Sequence, residues 1–348
     1  MDVVGVGLNA TDTVIRLPHF PAFNSKVEIA GADVFPGGQV ASAMVACALW
    51  GLHARYIGSV GDDSAAELQR REFAGAGVEA HLRTVPQCSS QQAFILVDQG
   101  SGERTILWRR DARLALQPEH LSRELIVSAR ALHVDGHDNR AAAQAARWAR
   151  EMGIPVTADV DNLYPHIEPL LDTVDYLIAS EEFPARLTGE RDLLRSLPAI
   201  AQRHGCRVAG VTLGRDGVLV WARPVAATFR SPPVLHNQTY SGGPKVAATA
   251  RAVDAGFLYC PAYQVEARDT TGAGDIFHGA FLYALLAGWP LPRALDFSCA
   301  AAGLNCTALG ARGGIRPVAE IEWLMRTGAR RQPRAEFAPY GSQSTADS

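Results

Sequence analysis

Lysine is almost missing from this chain of 348 residues. Of its 33 basic residues only Lys26 and Lys245 are lysines. Chemistry that needs a lysine, such as a Schiff base or a P-loop, therefore has two candidates. No G-x-x-x-x-G-K-[ST] surrounds either one, which excludes a P-loop NTPase. Clustered cysteine is missing too. Cys47, Cys88, Cys206, Cys260, Cys299 and Cys306 form no C-x-x-C pair, so neither a zinc site nor a disulfide framework is expected. Several lie in apolar runs, where a thiol behaves as a small hydrophobe. No apolar stretch approaches the ~20 residues of a membrane span. A net charge of −3 lacks the basic surplus of a nucleic-acid binder. Met1-Asp2-Val3-Val4 carries no basic n-region, so a cytoplasmic location is expected.

What is present is ample core material: 47% of residues are hydrophobic and 20% charged, enough for one large core or two modest ones. Val3 to Gly7 reads as a buried parallel strand. Residues 13–35 hold two partly alternating segments around Pro18 and Pro21, and Gln91–Arg109 alternates again; both read as exposed strands and turns. Between them lie an alanine-rich helix (Gln39–Trp50), a strand (Ala54–Val60) and a helix (Ser64–Ala74). From residue 130 strands and helices alternate regularly, the strands being Ala131–Val134, Pro155–Ala158, Tyr176–Ala179 and Val208–Thr212. Two long helices close the chain, around Asp275–Ala287 and Pro292–Leu304. This order predicts an α/β fold with a doubly wound, mostly parallel central sheet flanked by helices. Segments 13–35 and 91–110 are predicted to form a small β-sheet lid over one end. Residues 223–254, rich in Pro, Ala and Thr, read as a disordered insertion, and residues 331–348 as a disordered tail.

The sharpest segment is Asp269-Thr270-Thr271-Gly272-Ala273-Gly274-Asp275, directly before an amphipathic helix. Small residues leave backbone N–H groups unobstructed, and the helix dipole adds positive partial charge at the same place. Such a turn can hold a phosphoryl group without any lysine. Asp275, beside that anion hole, could accept a proton from an attacking hydroxyl. Taken alone, the same residues could merely turn the chain and cap a helix.

The stretch resembles the D-T-x-G-A-G-D signature of the PfkB (ribokinase-like) carbohydrate kinases. The likeness extends to Gly37-Gly38 before the alanine-rich helix, to Gly58-Ser59-Val60-Gly61-Asp62-Asp63, and to Val211-Thr212-Leu213-Gly214. Residues 101–107 and His133-Val134-Asp135-Gly136 look most like ketohexokinases. The resemblance implies one kinase domain over residues 1–330 that moves the γ-phosphoryl group of ATP to a hydroxyl of a small sugar, a ketose or pentose. Asp275 would be the base, with Gly272, Ala273 and Gly274 as the anion hole. The sugar would sit against Asp12, Gly38, Gln39, Ser42 and Asp135. Thr212, Gly214, Gly217 and Gly310 would line the nucleotide site. Mg²⁺ would be held through phosphates and waters, and K⁺ near Asp269, Thr271, Asn305, Ala308 and Gly310. Departures exist. Ser42 stands where many relatives carry asparagine, Gln39 where they carry lysine or asparagine, and Ser180-Glu181-Glu182-Phe183 where ribokinases carry N-x-x-E. Asp159 and Asp161, at a strand end, could face the metal–phosphate region. The lid's apolar residues (Ile15, Leu17, Phe20, Phe35, Phe94, Ile106, Trp108) predict a homodimer formed through it.

Rival readings are weaker. Gly5 to Ala10 matches the dinucleotide fingerprint, but two prolines follow where a helix is required. His133 and His137 lack a third metal ligand. A catalytically silent sugar or nucleotide sensor and a nucleoside kinase remain as alternatives on the same fold.

Overall fold

Short apolar runs between turns become strands, and alanine-rich stretches become the helices packed on them. The computed structural model describes residues 1–100, 104–223 and 256–341. After β1 (Val3–Val6) the chain leaves to build β2 (Ala10–Leu17) and β3 (Gly31–Gly37), then returns through α1 (Gln39–Leu49) to β4 (Ala54–Val60). Helix α2 (Ser64–Ala76) and β5 (Glu79–Thr84) follow, and β6 (Gln92–Asp98) and β7 (Arg104–Arg109) leave again. Strands and helices then alternate: α3 (Arg123–Val127), β8 (Ala131–Asp135), α4 (Asn139–Glu151), β9 (Val156–Val160), α5 (Glu168–Leu171), β10 (Tyr176–Ser180), α6 (Phe183–Thr188), α7 (Leu193–His204) and β11 (Val208–Thr212). The last elements are β12 (Val218–Ala222), β13 (Gly256–Cys260), α8 (Ala273–Leu286), α9 (Leu291–Asn305) and α10 (Val318–Thr327).

Nine strands form one sheet in the order β13-β12-β11-β10-β9-β8-β1-β4-β5. It is parallel from β11 to β5, with β12 and β13 antiparallel at one edge. Buried parallel strands need cover on both faces. On one face Ala141, Ala145 and Ala149 of α4 pack against Leu132, Val134 and Val156. On the other, Ile276, Ala280 and Phe281 of α8 pack against Tyr176, Ile178 and Val220. Alanine at the helix contact lets backbone and sheet approach closely, while each large side chain buried there contributes about 1.5–3 kcal/mol. The remaining strands form the expected small sheet, ordered β3-β2-β6-β7, with Asp12 opposite Phe35 and Ala93.

The chain after Gly7 runs into β2 and not into a helix, which removes the dinucleotide reading. The polar stretch after Arg330, expected to be disordered, instead packs. Arg331 donates its N–H to the Ala262 carbonyl (2.8 Å), and Phe337 is buried beside Tyr259. Single aromatic anchors in a polar segment leave no periodicity to read. Residues 342–348 lie outside the described residues, as does the expected insertion at 223–254 apart from Arg223.

Candidate active site

The carboxyl ends of the parallel strands face the turn at 269–275, the place where open α/β sheets bind ligands. Asp269 ties that turn to the loop after α9. One carboxylate oxygen accepts the Thr271 N–H (2.9 Å), the other the Gly310 N–H (2.9 Å). Asn305 completes the tie, donating to the carbonyls of Thr271 (3.3 Å) and Ala311 (3.0 Å) and accepting from the Gly314 N–H (3.1 Å). The turn needs glycine at 272, where φ is +74° and any side chain would run into the Ala311 backbone. Helix α8 starts at once, so its first amides have no intrahelical acceptor. Those of Gly274 and Asp275 find none among the described residues. Space around Gly274 is open. The amides are thus available to a ligand.

Asp275 stands in the first turn of α8. Burial pushes its carboxyl up to about 7, with Asp159 and Asp12 adding to the rise while His278 and Arg312 oppose it. A base that titrates near neutrality is matched to accepting a hydroxyl proton. Asp159, at the end of β9, lies 3.5 Å from Nε2 of His278, one turn along α8 from Asp275. His278 in turn stacks on His133, whose Nδ1 meets the Thr157 hydroxyl at 2.8 Å. The histidines serve this packing. The described residues contain no cluster of three His, Cys, Asp or Glu side chains able to hold a metal.

The expected acceptor residues gather beside Asp275, with one exception. Asp12 (5% exposed) points from β2 at Gly37, which must be glycine to leave room for the carboxylate. Burial raises Asp12 to about 6, held down in part by Arg312. Gly38 has φ +97°, and a side chain there would strike the backbone of Leu8 and Asn9. The Oε1 of Gln39 has no partner among the described residues, and the hydroxyl of fully buried Ser42 accepts from Nε of Arg312 (3.2 Å). Asp135 is the exception. It is 0% exposed, and its oxygens accept the N–H groups of Leu8 (2.6 Å) and His137 (3.0 Å). Its carboxylate fixes the exit of β1 on β8 and has no free face for a sugar.

At the expected nucleotide site, Thr212 ends β11 and Gly214–Asp216 form a single 3₁₀ turn closed by a Leu213 N–H bond to the Gly217 carbonyl (2.8 Å). An open groove of about 420 Å³ adjoins it, lined by Arg215, Asp216, Gln264, Val265, Arg331 and Gln332. Arg334 bridges Asp216 (2.7 Å) and Glu181 (2.5 Å). Glu181 is therefore paired with the tail and is not free for a metal. Gly310, by its bond to Asp269, belongs to the loop clamp and not to the groove. Ala308 lies in the same loop, its N–H 3.4 Å from the Asn305 carbonyl.

Arg312 was missed by sequence reasoning. It lies beyond the signature, in a loop that offers no periodicity, and only its spacing from Gly310 could have flagged it. Its guanidinium crosses from that loop to the Gly37 carbonyl (2.9 Å). The site is thus not free of cations, contrary to the picture of bare amides alone. His278 was missed because on an apolar helix it reads as core.

Comparison with known proteins agrees with the geometry. The sequence pattern of the pfkB family carbohydrate kinases matches residues 2–317. An ATP-dependent ribose-1-phosphate kinase from Halopiger xanaduensis is 27% identical over 89% of this chain and 93% of its own. A ribokinase from Haemophilus influenzae is 26% identical over 87% and 92%. A crystal structure of a presumptive ribokinase from Agrobacterium tumefaciens superposes with a TM-score of 0.78 at 28% identity, covering 93% of this chain and 97% of that one. With the family pattern spanning both the turn at 269–275 and the β2–α1 cup, the chain belongs to the pfkB family of carbohydrate kinases.

Proposed function

We propose that this kinase transfers the γ-phosphoryl group of ATP to a hydroxyl of a small carbohydrate held between Asp12, Gly38, Gln39 and Ser42. Asp275 takes the hydroxyl proton as the acceptor oxygen bonds to phosphorus and the bond to ADP breaks. The amides of Gly272 and Gly274 stabilise the charge on the transferring group, while that of Ala273, expected to join them, donates to the Thr270 carbonyl (3.4 Å). Phosphoryl transfer asks mainly for positioning and electrostatics, and this division of labour supplies both. The observation that carries the reading is the pairing of open amides with a carboxyl raised to about 7 in one turn of helix. Lid closure over the cup would keep water from competing for the phosphoryl group.

With no cluster of protein ligands among the described residues, Mg²⁺ would be held through ATP phosphates and waters, Asp159 being the nearest candidate for its outer shell. It would neutralise phosphate charge. For K⁺, both Asp269 oxygens already accept amides and the Asn305 side chain is spent on the loop. A cation there would depend on backbone carbonyls. The six cysteines are free and buried, which suits a reducing, cytoplasmic setting.

A homodimer through the lid is part of the same proposal. Every residue of β7 is exposed, among them Ile106, Leu107 and Trp108. The other members of the expected set divide: Phe20 and Phe94 are exposed, Leu17 is buried, and Ile15 and Phe35 lie between. An apolar edge strand left bare invites pairing. A monomeric mass at micromolar concentration ends this part.

ADP release with a panel of ketoses, pentoses, sugar acids, sugar phosphates and nucleosides tests the activity. Turnover in wild type that vanishes in Asp275→Ala is the expected result. Turnover that survives removes Asp275 as the base, and sugar binding without turnover in either form supports a sensor.

A further inference from the structure

We infer that Arg312 receives an anionic group of the acceptor, so that the sugar phosphorylated here carries a carboxylate or a phosphate. The inference rests on the kinase reading and names the substrate class of the same site. Arg312 leaves its loop and places its head among residues of the acceptor cup. Nη2 donates to the Gly37 carbonyl at 2.9 Å, with Gln69 Oε1 at 3.5 Å, and Nε meets the Ser42 hydroxyl at 3.2 Å. All three partners are neutral, so none cancels the charge. Nη1 is shut off from solvent and has no partner among the described residues. Among the described residues no carboxylate forms an ion pair with the guanidinium; Glu72, Asp275 and Asp12 act on it only from a distance. Burial lowers its pKa to about 10.

Arg312 is half-buried, but a guanidinium nitrogen shut off from water without a partner is costly unless something arrives to pair with it. Its planar fork matches a carboxylate or phosphate, whereas a neutral hydroxyl leaves the charge uncompensated. Short Ser42 leaves the guanidinium within reach of the first turn of α1. The head is held by β3, α1 and α2, and by nothing from the turn at 269–275 or from the end of β11. Its position therefore serves the acceptor and not the phosphoryl donor. Asp12 flanks the same Gly37 and offers an acceptor for hydroxyls. A sugar whose anionic substituent lies close to a hydroxyl is oriented by both.

The test compares matched sets of a neutral sugar, the corresponding sugar acid and the corresponding sugar phosphate, in wild type and in Arg312→Gln and Arg312→Lys. The wild type should favour one anionic member over its neutral counterpart. In Arg312→Gln the anionic-to-neutral ratio of kcat/KM should fall about 100-fold, carried by KM, as for loss of a charged hydrogen-bonding partner. Arg312→Lys should recover part of it. The better anion, acid or phosphate, identifies the source of the charge. Preference for the neutral sugar in wild type overturns the inference while leaving the kinase reading intact. An equal fall for all acceptors, expressed in kcat, also overturns it, since Arg312 would then serve phosphoryl transfer. If no acceptor releases ADP, the kinase reading fails, and calorimetric binding of the same sets to wild type without ATP decides this inference separately. The same binding measurement stands in should Arg312→Gln not fold, tight binding of the anion supporting the inference and equal or weaker binding overturning it.

Discussion

The proposed acceptor side and the proposed nucleotide side of this site handle charge in opposite ways. At the first, Asp12 and the Nη1 of Arg312 are buried without an ion pair among the described residues. At the nucleotide side Arg334, Glu181 and Asp216 are partly exposed and fully paired with one another. Burying an unpaired charge is expensive, so its retention marks a place where a ligand supplies the partner. Exposed pairs contribute little and mainly fix the position of a segment. On the proposed function the first region selects and reacts; the second straps the C-terminal stretch across the end of β11.

If that contrast holds, substitutions should grade in effect from one side to the other. The largest loss is expected for Asp275→Asn, about 10²–10⁴-fold in kcat, the range for removing a general base. Asp12→Asn should lower kcat/KM by about 10–100-fold, mainly through KM for the sugar, as for loss of a hydrogen bond to a charged group. Stability should move the other way. The carboxyls of Asp275 and Asp12 keep their protons up to about 7 and about 6 when folded, against a usual 3.8. The folded state therefore binds more protons between about pH 4 and 7, and stability falls as pH rises through that range. Thermal unfolding of Asp275→Asn should show a higher midpoint than wild type at pH 8 and no gain at pH 4. A wild-type advantage at pH 8 would mean that the carboxylate is not strained there. The smallest effect belongs to Arg334→Ala, about 1 kcal/mol or less in stability and weaker still at high salt. A large, salt-independent loss in that variant would erase the contrast between the two sides.

Most of the architecture was legible because its signals are local. The strands at Ala54–Val60 and Val208–Thr212 match the structure residue for residue. Their apolar spacing and flanking turns depend on nothing distant. The turn at 269–275 was legible for the same reason, since glycines before a helix declare their backbone. Charge partnerships over long separations were not. Arg312 meets Ser42 across 270 positions, and Asp135 meets Leu8 across 127. Nothing in the neighbourhood of Asp135 distinguishes a strand-end carboxylate that faces a ligand from one that clamps a backbone amide. The tail was misread because Phe337 and Arg334 act singly.

The most direct test of the account is the pH dependence of kcat/KM for ADP release, measured on wild type and Asp275→Asn with the best acceptor of the panel. The account predicts that wild-type activity rises with pH through an acid limb near 7 and then levels, and that Asp275→Asn has lost both the activity and the limb. A wild-type profile flat from pH 5 to 8, or an Asp275→Asn variant that keeps the limb and most of the rate, would contradict it.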